Sequence, residues 1–107
     1  MKKFFIFAVF ACLTNSAFAW TDTEIVNAIG RAEHSEAHPY GIMQKYKNTT
    51  PRQACFNTIH HIMRCWNGKG DFIAYCGSIY APVGAGNDPG GLNKNWVKNV
   101  KYFLAHP

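Results

Sequence analysis

Residues 21–44 read TDTEIVNAIGRAEHSEAHPYGIMQ, and this stretch decides the fold. It opens on Thr21-x-x-Glu24, a capping box in which the hydroxyl and the carboxylate each satisfy a backbone N–H at a helix start. Ile25, Ile29 and Ala32 then recur on one helical face. Glu33 lies two further turns along from Ile25, so a carboxyl group continues the apolar stripe. Pro39 is expected to end the helix by pushing the residue before it out of the helical region, and Tyr40-Gly41 turns the chain. An acid on an apolar stripe beside a tight turn is short of water, and burial disfavours its charged form. A carboxylic acid kept protonated near neutral pH can give its proton to a glycosidic oxygen. Glu36 lies on the adjoining flank, so either acid could serve, with Glu33 the better placed. The competing reading makes both of them exposed helix residues, one paired with Arg31 or a histidine.

Upstream, Met1-Lys2-Lys3 is a short basic segment, Phe4 to Leu13 is an apolar run, and Ala17-Phe18-Ala19 is a small-x-small cleavage site. The pattern predicts a signal peptide over 1–19, an exported chain in the periplasm or medium, and a single domain over 20–107. Thr14-Asn15-Ser16 ends the apolar run too early for a bilayer span, so no stable membrane insertion is expected. Cys12, after Val9-Phe10-Ala11, offers a second and less well-formed processing site of the lipoprotein kind. Lys2 and Lys3 supply two of the five net positive charges. The remaining basic residues are scattered singly, without a run that would track a phosphate backbone, which argues against nucleic acid. A mild positive balance is compatible with an acidic wall polymer.

Downstream, Thr50-Pro51-x-Gln53 starts a second helix with a capping Thr, a first-turn Pro and a reciprocal Gln. Its stripe is Cys55, Ile59, Ile62 and Trp66, and Asn67-Gly68 closes it. Asp71 caps a third helix with Phe72, Ile73, Cys76, Ile79 and Tyr80 inward, ended by Pro82. Asn93 caps a last helix with Trp96, Val100, Phe103 and Leu104 inward. Strand alternation is nearly absent, with room for one short β-ribbon between Tyr40 and Thr49. The expectation is a compact all-α domain of about four helices with two irregular loops.

Cys55, Cys65 and Cys76 remain after processing, and an oxidising compartment favours one bridge and one thiol. Cys55 and Cys65 fall on one predicted helix, about 15 Å apart along its axis, too far to bond. Cys65–Cys76 is the expected pair, with Cys55 a buried thiol; three reduced, core-packing thiols are the other reading. The cysteine spacing matches no zinc pattern. His34 and His38 stand four apart, with His60 and His61 further on, but His-Ser-Glu-Ala-His lacks the order of a zinc protease helix. Neither metal nor cofactor is expected.

The segment from Tyr80 to Trp96 concentrates amides, a carboxylate and aromatics, the groups that bind sugar hydroxyls and cover apolar ring faces. Read blandly, its Asn and Asp residues cap their own backbone and Trp96 fills the core.

Ile25 to Gln44 resembles the active-site helix of the soluble lytic transglycosylases, within the lysozyme superfamily. There an apolar helix ends in Glu-Ser, a Pro follows, and a Gly-Leu-Met-Gln element comes after; here Glu33 and Gly41-Ile42-Met43-Gln44 take those places. His34 intrudes between Glu33 and Ser35, and the gap to Gly41 is short. Tyr80-Ala81-Pro82, Asn87-Asp88-Pro89 and Asn95-Trp96 resemble a stretch of small phage-type and exported lysozyme-like proteins. The resemblance implies a lysozyme-like α-domain acting on the β-1,4 bond between N-acetylmuramic acid and N-acetylglucosamine in peptidoglycan. Glu33 would be the acid and then the base that yields a 1,6-anhydro end. The substrate contacts would come from Tyr40 and Gln44 on one loop and Tyr80, Asn87, Asp88 and Asn95 on the other. Hydrolysis usually wants a second carboxylate, and Asp71 and Asp88 each have a capping or turn role. A different class of function also fits the small size: a non-catalytic exported module that binds wall glycan or inhibits an enzyme. Glu33 facing Gln44, Tyr80 and Asn87 across a cleft would favour catalysis; Glu33 against Arg31 or open solvent would not. The intact mass of the exported protein is expected to match an unmodified chain beginning at Trp20; a lipid-bearing chain beginning at Cys12 would overturn that assignment.

Overall fold

In this computed structural model, residues 19–42, 45–84 and 91–107 are described. The helices are α1 (Asp22–Ala32), α2 (Pro51–Cys65), α3 (Phe72–Tyr80) and α4 (Trp96–Ala105), with 3₁₀ turns at Pro39–Gly41 and Leu92–Asn95. No strand forms among the described residues. The stretch with room for a β-ribbon instead opens on the 3₁₀ turn, with Tyr40 in the left-handed region at φ 59°.

The α1 capping box closes in both directions: Glu24 N donates to Thr21 Oγ1 at 3.1 Å, and Thr21 N donates to Glu24 Oε1 at 2.9 Å. Ile25, Val26, Ala28 and Ile29 are buried on its inner face. The helix stops at Ala32, well before the expected boundary at Pro39, and Glu33 is its C-cap. Beyond it the Ser35 hydroxyl accepts from His38 N at 3.1 Å, a local side-chain bond of the kind that competes with helix continuation.

Thr50 caps α2 by accepting from Gln53 N at 3.1 Å, but Gln53 does not reciprocate; its amide donates to Asn57 Oδ1 at 2.9 Å. Cys55, Ile59 and Ile62 are fully buried. Trp66 is the C-cap, its indole N–H donating to Lys69 O at 3.1 Å. Asp71 caps α3, accepting from Ile73 N at 2.9 Å and Ala74 N at 3.2 Å, and pairs with Lys101 of α4. Phe72, Ile73, Cys76 and Gly77 form the inner arc of α3. Ile79, expected inward, lies past the edge of that arc and is 46% exposed. Gly77 is inward because α4 presses on it: a Cβ there would meet Val97 Cγ2 at 2.6 Å.

Asn93 is not the α4 cap expected from its type. Its amide donates to Pro82 O at 3.1 Å, tying the approach of α4 to the exit of α3, and the helix proper begins at Trp96. Trp96, Val100 and Leu104 are buried as expected, and Phe103 is partly buried. The Arg31 guanidinium lies 4.5 Å from the Phe103 ring centre and donates to His106 O at 2.8 Å. Helix α1 packs against both α2 and α4, and His60 of α2 bonds Asp22 at its start at 2.6 Å. No described helix is long and apolar enough to cross a membrane.

Asp71→Ala removes the α3 cap and the ion pair together. It is expected to cost about 1 kcal/mol, a fall of roughly 4–8 °C in melting temperature for a domain of this size. The Lys101 partner, opposed in part by burial, holds the Asp71 carboxyl below its ordinary range. Its stabilisation is therefore present above the unfolded-state value and lost as pH falls through the lower folded value. The melting difference between wild type and variant should shrink in acid; a constant difference counts against the assignment.

Candidate active site

One end of each helix meets at Glu33. The residue is the C-cap of α1, with φ −88° and ψ 7°, its N–H still bonded to Ile29 O. Its side chain is half-buried and makes no bond to Arg31, which is turned to Phe103 and His106. The carboxyl rests on Gly41: a Cβ at Gly41 would stand 2.6 Å from Glu33 Oε2 and 3.0 Å from its Cδ. Gly41 has φ +69°, so the position needs glycine both for its backbone and for the room above it.

Tyr40 sets that floor in place. Its ring lies on Gly30 of α1, where a Cβ would come within 2.5 Å of Cε1. Its hydroxyl accepts from Arg52 Nη1 of α2 at 3.0 Å, and its carbonyl accepts from the Tyr80 hydroxyl at the end of α3. Tyr40 and Tyr80, both expected as sugar contacts, are thus brought together as partners of one another. Their phenol groups are engaged within the protein.

The surroundings of Glu33 are mostly neutral. Burial raises its pKa, countered in part by the Trp96 indole. Cys55 is fully buried on α2, and burial pushes its thiol up to about 11, opposed in part by the Tyr80 hydroxyl. Burial likewise raises Tyr80, with Cys55 and Glu33 adding to the effect. The Tyr80 and Trp96 rings lie 5.5 Å apart. A half-exposed carboxyl with a raised pKa, no cationic partner among the described residues and a glycine floor keeps its proton to higher pH than an ordinary carboxyl and can deliver it to a group arriving from solvent.

The other carboxylates among the described residues are occupied or turned outward. Asp22 is bonded to His60, Glu24 closes the capping box, Asp71 caps α3 and pairs with Lys101, and Glu36 is exposed. Asn95 is exposed at the start of α4 and makes no capping bond. Gln44, Asn87 and Asp88 lie outside the described residues. His34 and His38 are exposed, and since α1 has ended they share no helical face. No group of three metal-ligating side chains occurs among the described residues. Among the described cysteines, Cys65 is exposed with its Sγ 3.7 Å from His61 Nε2, whereas Cys55 and Cys76 are buried. Burial raises the Cys76 thiol, with Asp71 and Cys55 adding to the effect.

Two hollows flank Tyr40. One of about 500 Å³ lies between α1 and the end of α4, lined by Asn27, Gly30, Arg31, Tyr40, Phe103 and Leu104 among others. A second of about 220 Å³ lies over His34, Ser35, Glu36 and Pro39. Glu33 lines neither. Trp96, read from sequence both as part of the Tyr80–Trp96 segment and as core, is buried at the start of α4 with its ring near Tyr80. Comparison with protein-family models, with curated proteins and with solved structures finds no match for this chain.

Gly41→Ala is expected to force the Glu33 carboxyl outward, because the new methyl group would occupy its seat and strain the left-handed turn by about 1–3 kcal/mol. The Glu33 pKa, followed by carboxyl-carbon NMR titration, should then fall toward the ordinary carboxylate range. An unchanged midpoint in a folded variant would show that Gly41 is not the floor.

Proposed function

We propose that this chain cleaves peptidoglycan at the β-1,4 bond between N-acetylmuramic acid and N-acetylglucosamine, as a lytic transglycosylase. The observation that carries the reading is Glu33: a half-buried acid at a helix end, unpaired with Arg31 and seated on Gly41. In the first step its carboxyl gives a proton to the glycosidic oxygen as the C1–O bond breaks, leaving a muramic oxocarbenium-like centre. The Glu33 carboxylate then takes the proton of the C6 hydroxyl while O6 bonds to C1. A 1,6-anhydro end results and the acid is restored without water being consumed. One carboxyl group serves both steps. The engagement of Asp22, Glu24 and Asp71 elsewhere favours this route over hydrolysis with a second carboxylate. Export to the wall and glycan contacts from Gln44, Asn87, Asp88 and Asn95 belong to the same proposal.

Purified peptidoglycan digested with the protein should give fragments with anhydro ends by mass spectrometry. Reducing ends would mean hydrolysis, and intact glycan that the protein still binds would favour the binding-module reading. Glu33→Gln keeps the shape of the side chain and removes the proton, so cleavage should fall by roughly 10²–10⁴ while folding survives. Glu36→Gln should cost far less. Because the acid must be protonated to act, activity should decline as pH rises through the raised Glu33 value. A fully active Glu33→Gln protein would refute the assignment.

A further inference from the structure

Trp96 is 4% exposed, and its Nε1 is wholly covered with no acceptor at hydrogen-bonding geometry among the described residues. Buried N–H groups are nearly always bonded, and the other indole at a helix end, Trp66, donates to Lys69 O at 3.1 Å. The ring of Trp96 is clamped. Tyr80 lies 5.5 Å away on one side, and the missing Cβ of Gly77 admits its Cε3, which would otherwise be 3.2 Å from a methyl carbon. Glu33 is the group this N–H addresses, loosely, as a donor. The two partners differ in freedom: the indole is buried, whereas Glu33 is a helix C-cap with a half-exposed side chain.

We propose that Trp96 is a positioning residue whose indole N–H is held in reserve and closes on the Glu33 carboxylate once the proton has left it. A protonated carboxyl gains little from an N–H donor, whereas an ionised one forms a shorter bond about twice as strong. The donor therefore steadies the charged form between proton delivery and proton recovery. The other groups facing the carboxyl keep their state while it titrates. Burial lifts the Cys55 thiol to about 11 and the Cys76 thiol to about 12, and raises the Tyr80 phenol. Arg52 is bound to the Tyr40 hydroxyl. His34 and Glu36 are exposed on the segment that follows. This rests on Glu33 being the proton-carrying group, but its test needs no substrate.

The indole ¹⁵N–¹H signals of the full protein, in a His34→Gln/Glu36→Gln background, give the readout, with the Trp96 signal assigned by elimination from those lost in Trp20→Phe and Trp66→Phe. The Trp96 signal should move downfield along the Glu33 carboxyl-carbon titration, the Trp66 signal should stay fixed, and Glu33→Gln should abolish the movement. Trp96→Phe should raise the Glu33 midpoint by about one pH unit, since an ionised acceptor loses its donor. A Trp96 signal that stays still while Glu33 titrates overturns the proposal, and that measurement does not depend on the Phe variant folding. A protein that cleaves no glycan but shows the coupled titration would keep this inference and remove the catalytic one; cleavage with an unmoved indole would do the reverse.

Discussion

Tyr40 has a left-handed backbone, and much of the arrangement around Glu33 depends on keeping it there. A bulky residue in that region carries strain of about 1–3 kcal/mol. Three contacts from three helices oppose it: Gly30 of α1 receives the ring, Arg52 of α2 donates to the hydroxyl, and Tyr80 of α3 donates to the carbonyl. With Tyr40 so held, Gly41 follows with positive φ and its bare Cα comes up beneath the Glu33 carboxyl. Local strain, helix packing and the electrostatics of one acid are thereby a single problem. Its solution lies in a turn of three residues.

A protein can keep a carboxyl group protonated by removing water or by crowding it with negative charge. Here water removal dominates. The partners gathered round Glu33 are a phenol, a thiol, an indole and a glycine, which are polarisable or mildly polar but neutral. The nearest arginine on its own helix, Arg31, is drawn away by the Phe103 ring and the His106 carbonyl. Had it turned the other way, an ion pair would have pulled the carboxyl down instead. Packing at the far end of α4 thus keeps the carboxyl at its near end free of Arg31.

The four helices could be read from sequence because their signals were local: Thr21-x-x-Glu24, Thr50-Pro51 and Asp71 all cap as their types suggest. Capping expectations failed where a side chain found another partner. Asn93 leaves the capping role to bond Pro82, and Gln53 turns to Asn57. The prominence of Glu33 was legible from its place on the Ile25/Ile29 stripe, although the helix ends beneath it instead of carrying it onward. The Tyr40–Tyr80 bond joins residues forty positions apart, and no local pattern announces it. The Trp96 N–H was hidden for a different reason. An indole buried at helical spacing looks the same from sequence whether its N–H is wanted or merely tolerated.

The contact between Gly30 and Tyr40 bears on how this sequence could vary. An interior helix glycine costs about 1 kcal/mol against alanine, so drift would ordinarily replace Gly30. A methyl group there would lie 2.5 Å from the tyrosine ring, and the substitution becomes acceptable only if the ring has already shrunk. Reducing the ring, in turn, releases Arg52 and loosens the turn under Glu33. Gly30, Tyr40, Gly41 and Glu33 therefore form one epistatic block whose members tolerate change together or not at all. Single replacements would look uniformly intolerant there, even though only one of the four carries a titratable carboxyl.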